Sequence, residues 1–255
     1  MTEHLRISFV RHGEHTPEHK NPALTHRGIE EGEILRQRIN TDPERTIGYA
    51  FPARRSLATV ALAINPAVNS ENLYSSTFKL LAEKRLSVSS DLSYLGNPHE
   101  EFKSSIDAAS KIGRGLAFLV KDSDTFLDQS PHEISTLSRT SFQVSRFVEQ
   151  SIAANVDKDI DDIVVCAREF VYPSFKAALI ARKQGQGAAN DYAEWYGENK
   201  ELVDSVRLDV ATLYVEPNGI TIEDTYSSIQ IDSEDLQDVQ NEYLQRVSNI
   251  AEQAA

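Results

Sequence analysis

Four consecutive residues, Arg11-His12-Gly13-Glu14, place an imidazole, a guanidinium and a glycine in one short stretch of chain. The imidazole is a proton carrier and a nucleophile. The guanidinium offers a planar fork of donors that matches phosphate oxygens, and the glycine allows the backbone close to a ligand. The tetrad follows Leu5–Val10, a short run of β-branched and aromatic residues that reads as a strand. A histidine just beyond such a strand sits where open α/β sheets bind ligands. Alone, the tripeptide Arg-His-Gly is equally a surface loop with a chance histidine. Two later segments add to it: Leu24-Thr25-His26-Arg27-Gly28 and Pro52-Ala53-Arg54-Arg55-Ser56-Leu57-Ala58-Thr59.

Each of these segments opens a helical pattern. Ile29, Ile34, Leu35 and Ile39 space a helix over 23–39 with Thr25 as its N-cap. Residues 46–51 read as a second strand, 53–64 as a second helix and 86–92 as a third strand. The stretch 93–129 is aperiodic and reads as an excursion carrying short helices. Ser130-Pro131-His132-Glu133 has the form of a capping box, predicting a helix from there to about Ala154. Asp162–Ala167 is a continuous apolar run, as in a strand buried on both faces. A helix is expected over 172–183, then a hairpin of 210–215 and 220–226 with the four-residue loop Glu216-Pro217-Asn218-Gly219, and a closing helix over 234–253. Strands alternating with helices predict a three-layer α/β/α sandwich with a mostly parallel central sheet. With no repeat and no linker rich in Pro, Gly or Ser, the expectation is a single domain over 1–255, with an insertion at about 93–129 shaping the pocket.

Composition narrows the function classes. The 255 residues carry 26 basic and 39 acidic side chains, a formal net charge of −13, which argues against nucleic acid as a partner. No apolar run approaches the roughly 18 residues of a membrane span; the longest, 116–120, is far shorter. Met1-Thr2-Glu3-His4 has neither a basic nor a hydrophobic leader region, so the reading is a cytoplasmic protein. Cys166 is the single cysteine, which excludes an internal disulfide and a cysteine-rich zinc site.

Taken in order, the three motifs resemble the histidine phosphatase superfamily, the phosphoglycerate mutase-like enzymes. There an Arg-His-Gly strand end precedes a Leu-Thr-x-x-Gly helix start and a Ser-Pro-x-x-Arg-Ala-x-x-Thr segment. The resemblance implies that His12 accepts a phosphoryl group as a phosphohistidine, with Arg11 and Arg55 holding the phosphate. It implies a hydrolase or phosphoryl-transfer enzyme acting on a small phosphorylated substrate, with no cofactor and no metal. Cationic groups from separate strand ends suit this chemistry, because phosphoryl transfer needs charge offset on three oxygens more than covalent help.

Two departures matter. The family's second histidine stands at the end of a later strand, where this chain reads Val164-Val165-Cys166-Ala167-Arg168. Ala167 occupies its place, and no histidine lies beyond His132. Either a native histidine has been replaced, or the chain is a natural variant lacking it; the rival readings are a silent phospho-ligand-binding module of the same fold and, more weakly, a metal-dependent hydrolase using the N-terminal histidines. The family's general-acid glutamate also has no match at Leu92-Ser93-Tyr94; Glu100, Glu101 and His99 are nearby, and Glu100 is taken for the role. Arg168 either reaches the phosphate or pairs with an acid such as Glu169. Among other features, His12, His15, His19 and His26 cluster without a carboxylate pattern to complete a metal site. Asp157–Asp161 imitates the start of a calcium loop but lacks the glycine and glutamate that would finish it. Gly185-Gln186-Gly187 follows a helix and reads as a turn, and Cys166 reads as a buried small residue. The segment 185–200, with Trp195 and Tyr196, is expected to shape the pocket mouth.

Overall fold

Leu5, Ile7, Phe9 and Val10 are all buried, so the first strand β1 (Leu5–Val10) is covered on both faces. The same holds for β4 (Asp162–Cys166), in which every residue is buried. Such strands belong in the middle of a sheet. In the computed structural model, which describes residues 5–17, 21–89, 92, 100–126, 136–155, 158–199 and 211–253, they lie side by side. The other strands are β2 (Thr46–Ala50), β3 (Leu86–Val88), β5 (Ala211–Glu216), β6 (Gly219–Glu223) and β7 (Ser228–Ile231), in the order β3-β2-β4-β1-β5-β6-β7. The pairs β3–β2, β2–β4 and β4–β1 are parallel, and β5 turns the sheet antiparallel against β1. The mostly parallel α/β sheet expected from the sequence is present.

The chain forms two compact units: residues 1–93, 151–168 and 204–230, and residues 94–150, 169–203 and 231–255. The first holds the sheet with α1 (His26–Ile39), α2 (Arg54–Ile64) and α3 (Leu73–Ala82). Its registers decide where strand ends fall. Val10 pairs with Cys166, and Ala50 pairs with the same Cys166, so β1, β2 and β4 finish at one level. At the other edge the acidic turn before β4 is tied by arginines. Arg45 reaches Asp159 and Asp161 at 2.7 Å each, and Arg6 meets Asp162 at 2.5 Å. These carboxylates serve strand-edge ion pairs.

The second unit holds α4 (Glu100–Lys111), α5 (Gly115–Lys121), α6 (Leu137–Asn155, whose last turn passes into the first unit), α7 (Val171–Gln184), α8 (Gln186–Glu198) and α9 (Ser233–Gln253). Phe102, Ile106 and Leu119 form a small core with Phe118, Phe126 and Phe170 against it. Asp232 and Asp235 cap α9 reciprocally, each carboxylate accepting the other's backbone N–H at 3.0 Å.

Several expectations need correction. The third strand stops at Val88 and does not run to Leu92. Helix α6 begins at Leu137, where the Thr136 hydroxyl accepts from the Arg139 N–H at 3.3 Å, so a helix does not run unbroken from the Ser130 box; that box lies outside the described residues. Glu216 pairs with Gly219, leaving a loop of two residues, Pro217-Asn218, where four were expected. Proline fixes φ near −65° there, and Gly219 at φ 145° completes the reversal. Segment 185–200 contains helix α8, and β7 and α3 were not foreseen.

Candidate functional site

The ends of β1, β2 and β4 carry the motif residues. Beyond Val10 come Arg11 and His12; beyond Ala50 comes Phe51; beyond Cys166 come Ala167 and Arg168. Backbone bonds stitch these extensions together: the Ala167 N–H donates to Val10 O at 3.3 Å, and the Phe51 N–H donates to Cys166 O at 3.1 Å.

Phe51, 1% exposed, is the floor. The His12 ring centroid lies 6.1 Å from its ring, and the guanidinium carbons of Arg55 and Arg168 each lie 5.5 Å from its centroid. One aromatic ring thus has an imidazole and two cations around it, within cation–π range for the arginines. Burial, then the neighbouring Arg168 charge, lowers the Arg55 pKa, and Arg55 Nε is buried with no hydrogen-bond partner. Two close guanidiniums and a buried, unsatisfied donor make a local excess of positive charge on a chain of formal charge −13. Such a site favours an anion.

His12 is set up as a neutral base. Its Nδ1–H donates to Gly13 O at 3.0 Å, since a carbonyl only accepts, and this leaves the Nε2 lone pair for chemistry. Burial, offset by that hydrogen bond and reinforced by Arg55, His15 and Arg11, lowers its pKa from the ordinary 6.5 to about 3.

The glycines and threonines of the motifs fix the loop that carries His12. A Cβ on Gly13 would stand 2.4 Å from Gly28 O, and one on Gly28 would stand 2.0 Å from Glu14 O. Only glycine at both places lets the loop lie against the start of α1. The Gly13 N–H donates to Thr59 Oγ1 at 3.1 Å, and Thr59 Oγ1–H donates to Arg55 O at 2.9 Å, which ties the loop to α2. Thr25 caps α1 by accepting from the Gly28 N–H at 3.1 Å while its hydroxyl donates to Glu14 Oε2 at 2.7 Å. Glu31, 8% exposed, accepts the Glu14 N–H at 2.7 Å.

Of the residues singled out from sequence, Arg11, His12, Arg55, Ala167 and Arg168 all stand in the first unit, at this one sheet edge. Glu100 opens α4 in the second unit and is exposed. Cys166 is wholly buried and its thiol is pushed up to about 12 by burial, so it is no thiolate nucleophile. Two residues were missed. Phe51 gave no signal, being one more apolar residue at a strand end. His15 has no role in the sequence reading beyond an incomplete histidine cluster, yet its ring centroid lies 5.0 Å from that of His12, and its Nδ1–H donates to Thr16 O at 3.2 Å. The His15–Leu24 bridge holds its backbone in place. Among the described residues no group of three or more His, Cys, Asp or Glu is placed to hold a metal ion, and no helix is long and apolar enough to cross a membrane.

Comparison with solved structures gives the fold its class. A phosphoglycerate mutase from Bacillus anthracis str. Sterne matches with a TM-score of 0.53 at 10% identity, over 93% of this chain and 97% of its own. A putative alpha-ribazole-5'-P phosphatase from Escherichia coli str. K-12 substr. MG1655 matches at 0.49 and 16%, over 88% and 96%. A phosphoserine phosphatase from Entamoeba histolytica, solved with 3-phosphoglyceric acid, matches at 0.45 and 14%, over 91% and 99%. The fold is phosphoglycerate mutase-like. No protein-family model matches the sequence, and no curated protein matches it.

Proposed function

We propose that this chain is a metal-independent phosphomonoesterase or phosphoryl-transfer enzyme of the histidine phosphatase type, working through a phosphohistidine at His12. The observation that carries the reading is the cluster on Phe51: a neutral imidazole with its Nε2 lone pair available, beside two guanidiniums. His12 Nε2 attacks phosphorus as the ester P–O bond breaks. Arg11, Arg55 and Arg168 offset charge on the phosphoryl oxygens. The leaving oxygen takes a proton from a carboxylic acid, a role we assign to Glu100 from its place in the chain after β3. Water then releases phosphate from His12.

Ala167, lying next to the Val10 carbonyl, brings no hydrogen-bond donor of its own side chain. In this reading His15, whose ring centroid lies 5.0 Å from that of His12, supplies the second imidazole beside a phosphoryl group on His12. The substrate is a small phosphorylated metabolite, and the protein acts in the cytoplasm.

The alanine also favours a second reading, a phosphate-binding module without turnover. The deciding experiment is a phosphatase screen on a panel of phosphomonoesters, with acid-labile labelling of the protein by radioactive phosphate, for the wild-type chain and His12→Ala. Turnover and labelling that vanish in the variant support the enzyme. Phosphate affinity in calorimetry with neither turnover nor labelling supports the module, and absence of all three overturns both readings.

A further inference from the structure

The sheet edge that carries His12 continues over the ends of β2 and β3, and there the first unit opens into a cavity of about 560 Å3. Its walls are largely apolar: Pro52, Leu57, Tyr74, Phe78, Leu81 and Val88. Phe78 is 72% exposed and Val88 51%, so two of the most exposed large apolar side chains among the described residues face this one space. Clustering of that kind marks a surface that is covered in use. The volume lies in the range of roughly 300–1,000 Å3 that suits a small organic ligand.

The cavity adjoins the phosphate cluster along the chain. Pro52 follows Phe51 directly, and Arg54, which lines the cavity, precedes Arg55, which does not. Neighbouring strands are about 4.8 Å apart, so a group leaving the phosphoryl position beside β1 and β4 crosses one or two strand spacings to enter. The Arg54 guanidinium carbon lies 3.9 Å over the Tyr74 ring, and the Arg54 N–H donates to Asn21 Oδ1 at 2.8 Å.

We propose that this cavity receives the organic group of the phosphomonoester, and that this group is apolar and of aromatic size. The inference rests on the reading of the Phe51 cluster as a phosphoryl site. A small polyol phosphate would set hydroxyls against proline, leucine and phenylalanine and lose water hydrogen bonds without replacement. An aryl group instead removes Phe78 and Val88 from water together with its own surface.

Calorimetry with two phosphonates, which are not hydrolysed, tests this on the whole chain. The probes are methylphosphonate and naphthylmethylphosphonate. The naphthyl compound should bind roughly 10–100-fold more tightly, the effect of burying one large apolar group. In Phe78→Ala, and separately in Val88→Ser, the ratio of the two affinities should shrink; both positions are exposed, and an unchanged melting temperature checks that folding is intact. Binding of methylphosphonate with no naphthyl preference, or a preference untouched by both substitutions, overturns the cavity assignment and leaves the phosphate cluster standing. Binding of neither compound overturns the phosphoryl site and the cavity assignment with it.

Discussion

Strands β1 and β4 end side by side, with Val10 and Cys166 in register, yet their extensions differ in kind. Past β1, the loop is held by short side-chain bonds from Thr25, Glu31 and Thr59 and by two glycines in near contact. Past β4, the Ala167 and Arg168 N–H groups reach Val10 O and Leu92 O at 3.3 and 3.5 Å. Both imidazoles, His12 and His15, stand on the first of these ends. The other end contributes a cation and a methyl group. In the proposed mechanism the nucleophile is therefore placed by bonds that require a particular backbone shape, and a donor at the second end is one substitution away.

The sharpest break of that contrast is to empty the first end. His12→Ala should lower kcat/KM on a generic phosphomonoester by about 10⁴–10⁶-fold, as loss of a nucleophile does, with initial rates as the readout. Filling the second end is the next largest. Ala167→His should raise kcat/KM by about 10²–10⁴-fold, the contribution of a positioned proton donor. The proportional gain should be greater in a His15→Ala background, since the two imidazoles serve one phosphoryl group. Equal gains in both backgrounds would remove His15 from the mechanism.

Arg55→Ala should weaken phosphate binding by about 1.5–3 kcal/mol, the value of hydrogen bonds to a charged group; calorimetry reads this directly. Gly28→Ala, which drives a methyl into Glu14 O, should cost about 1–3 kcal/mol of stability by overpacking, seen as a lower denaturant midpoint. A further effect is in pH. Folding holds the His12 pKa at about 3 against 6.5, so between those values the unfolded chain binds a proton that the folded one does not. Stability from this group is therefore fully present above pH 6.5 and declines as the pH falls toward 3. His12→Ala should flatten that part of the stability profile, measured by chemical denaturation at a series of pH values. The acid limb of kcat/KM should show no titration of His12 near 6.5.

Local chemistry explains which elements were legible. Leu5–Val10 and Asp162–Cys166 are apolar enough to be strands in any context, and Thr25 before an amphipathic run caps α1 as it would in a peptide. Helix α3 was hidden by Ser75, Ser76 and Thr77, poor helix formers, and Thr77 Oγ1–H even donates back to Leu73 O. The helix expected to run on to Ala154 starts afresh at Leu137, because Thr136 offers the hydroxyl that caps α6. In the site, the motif spacing pointed to Arg11, His12 and Arg55, whose shared edge follows from parallel strands in register.

What the sequence determined by itself is therefore the set of candidate side chains and the strand or helix end that each occupies, because caps, glycines and apolar periodicity are local properties. Only the tertiary structure decided that Phe51 is the floor on which Arg55 and Arg168 meet, that His15 stands against His12, and that Phe78 and Val88 frame one cavity. Those neighbours are brought together by sheet register and helix packing, and the resulting burial, not the residue types, is what lowers the His12 pKa.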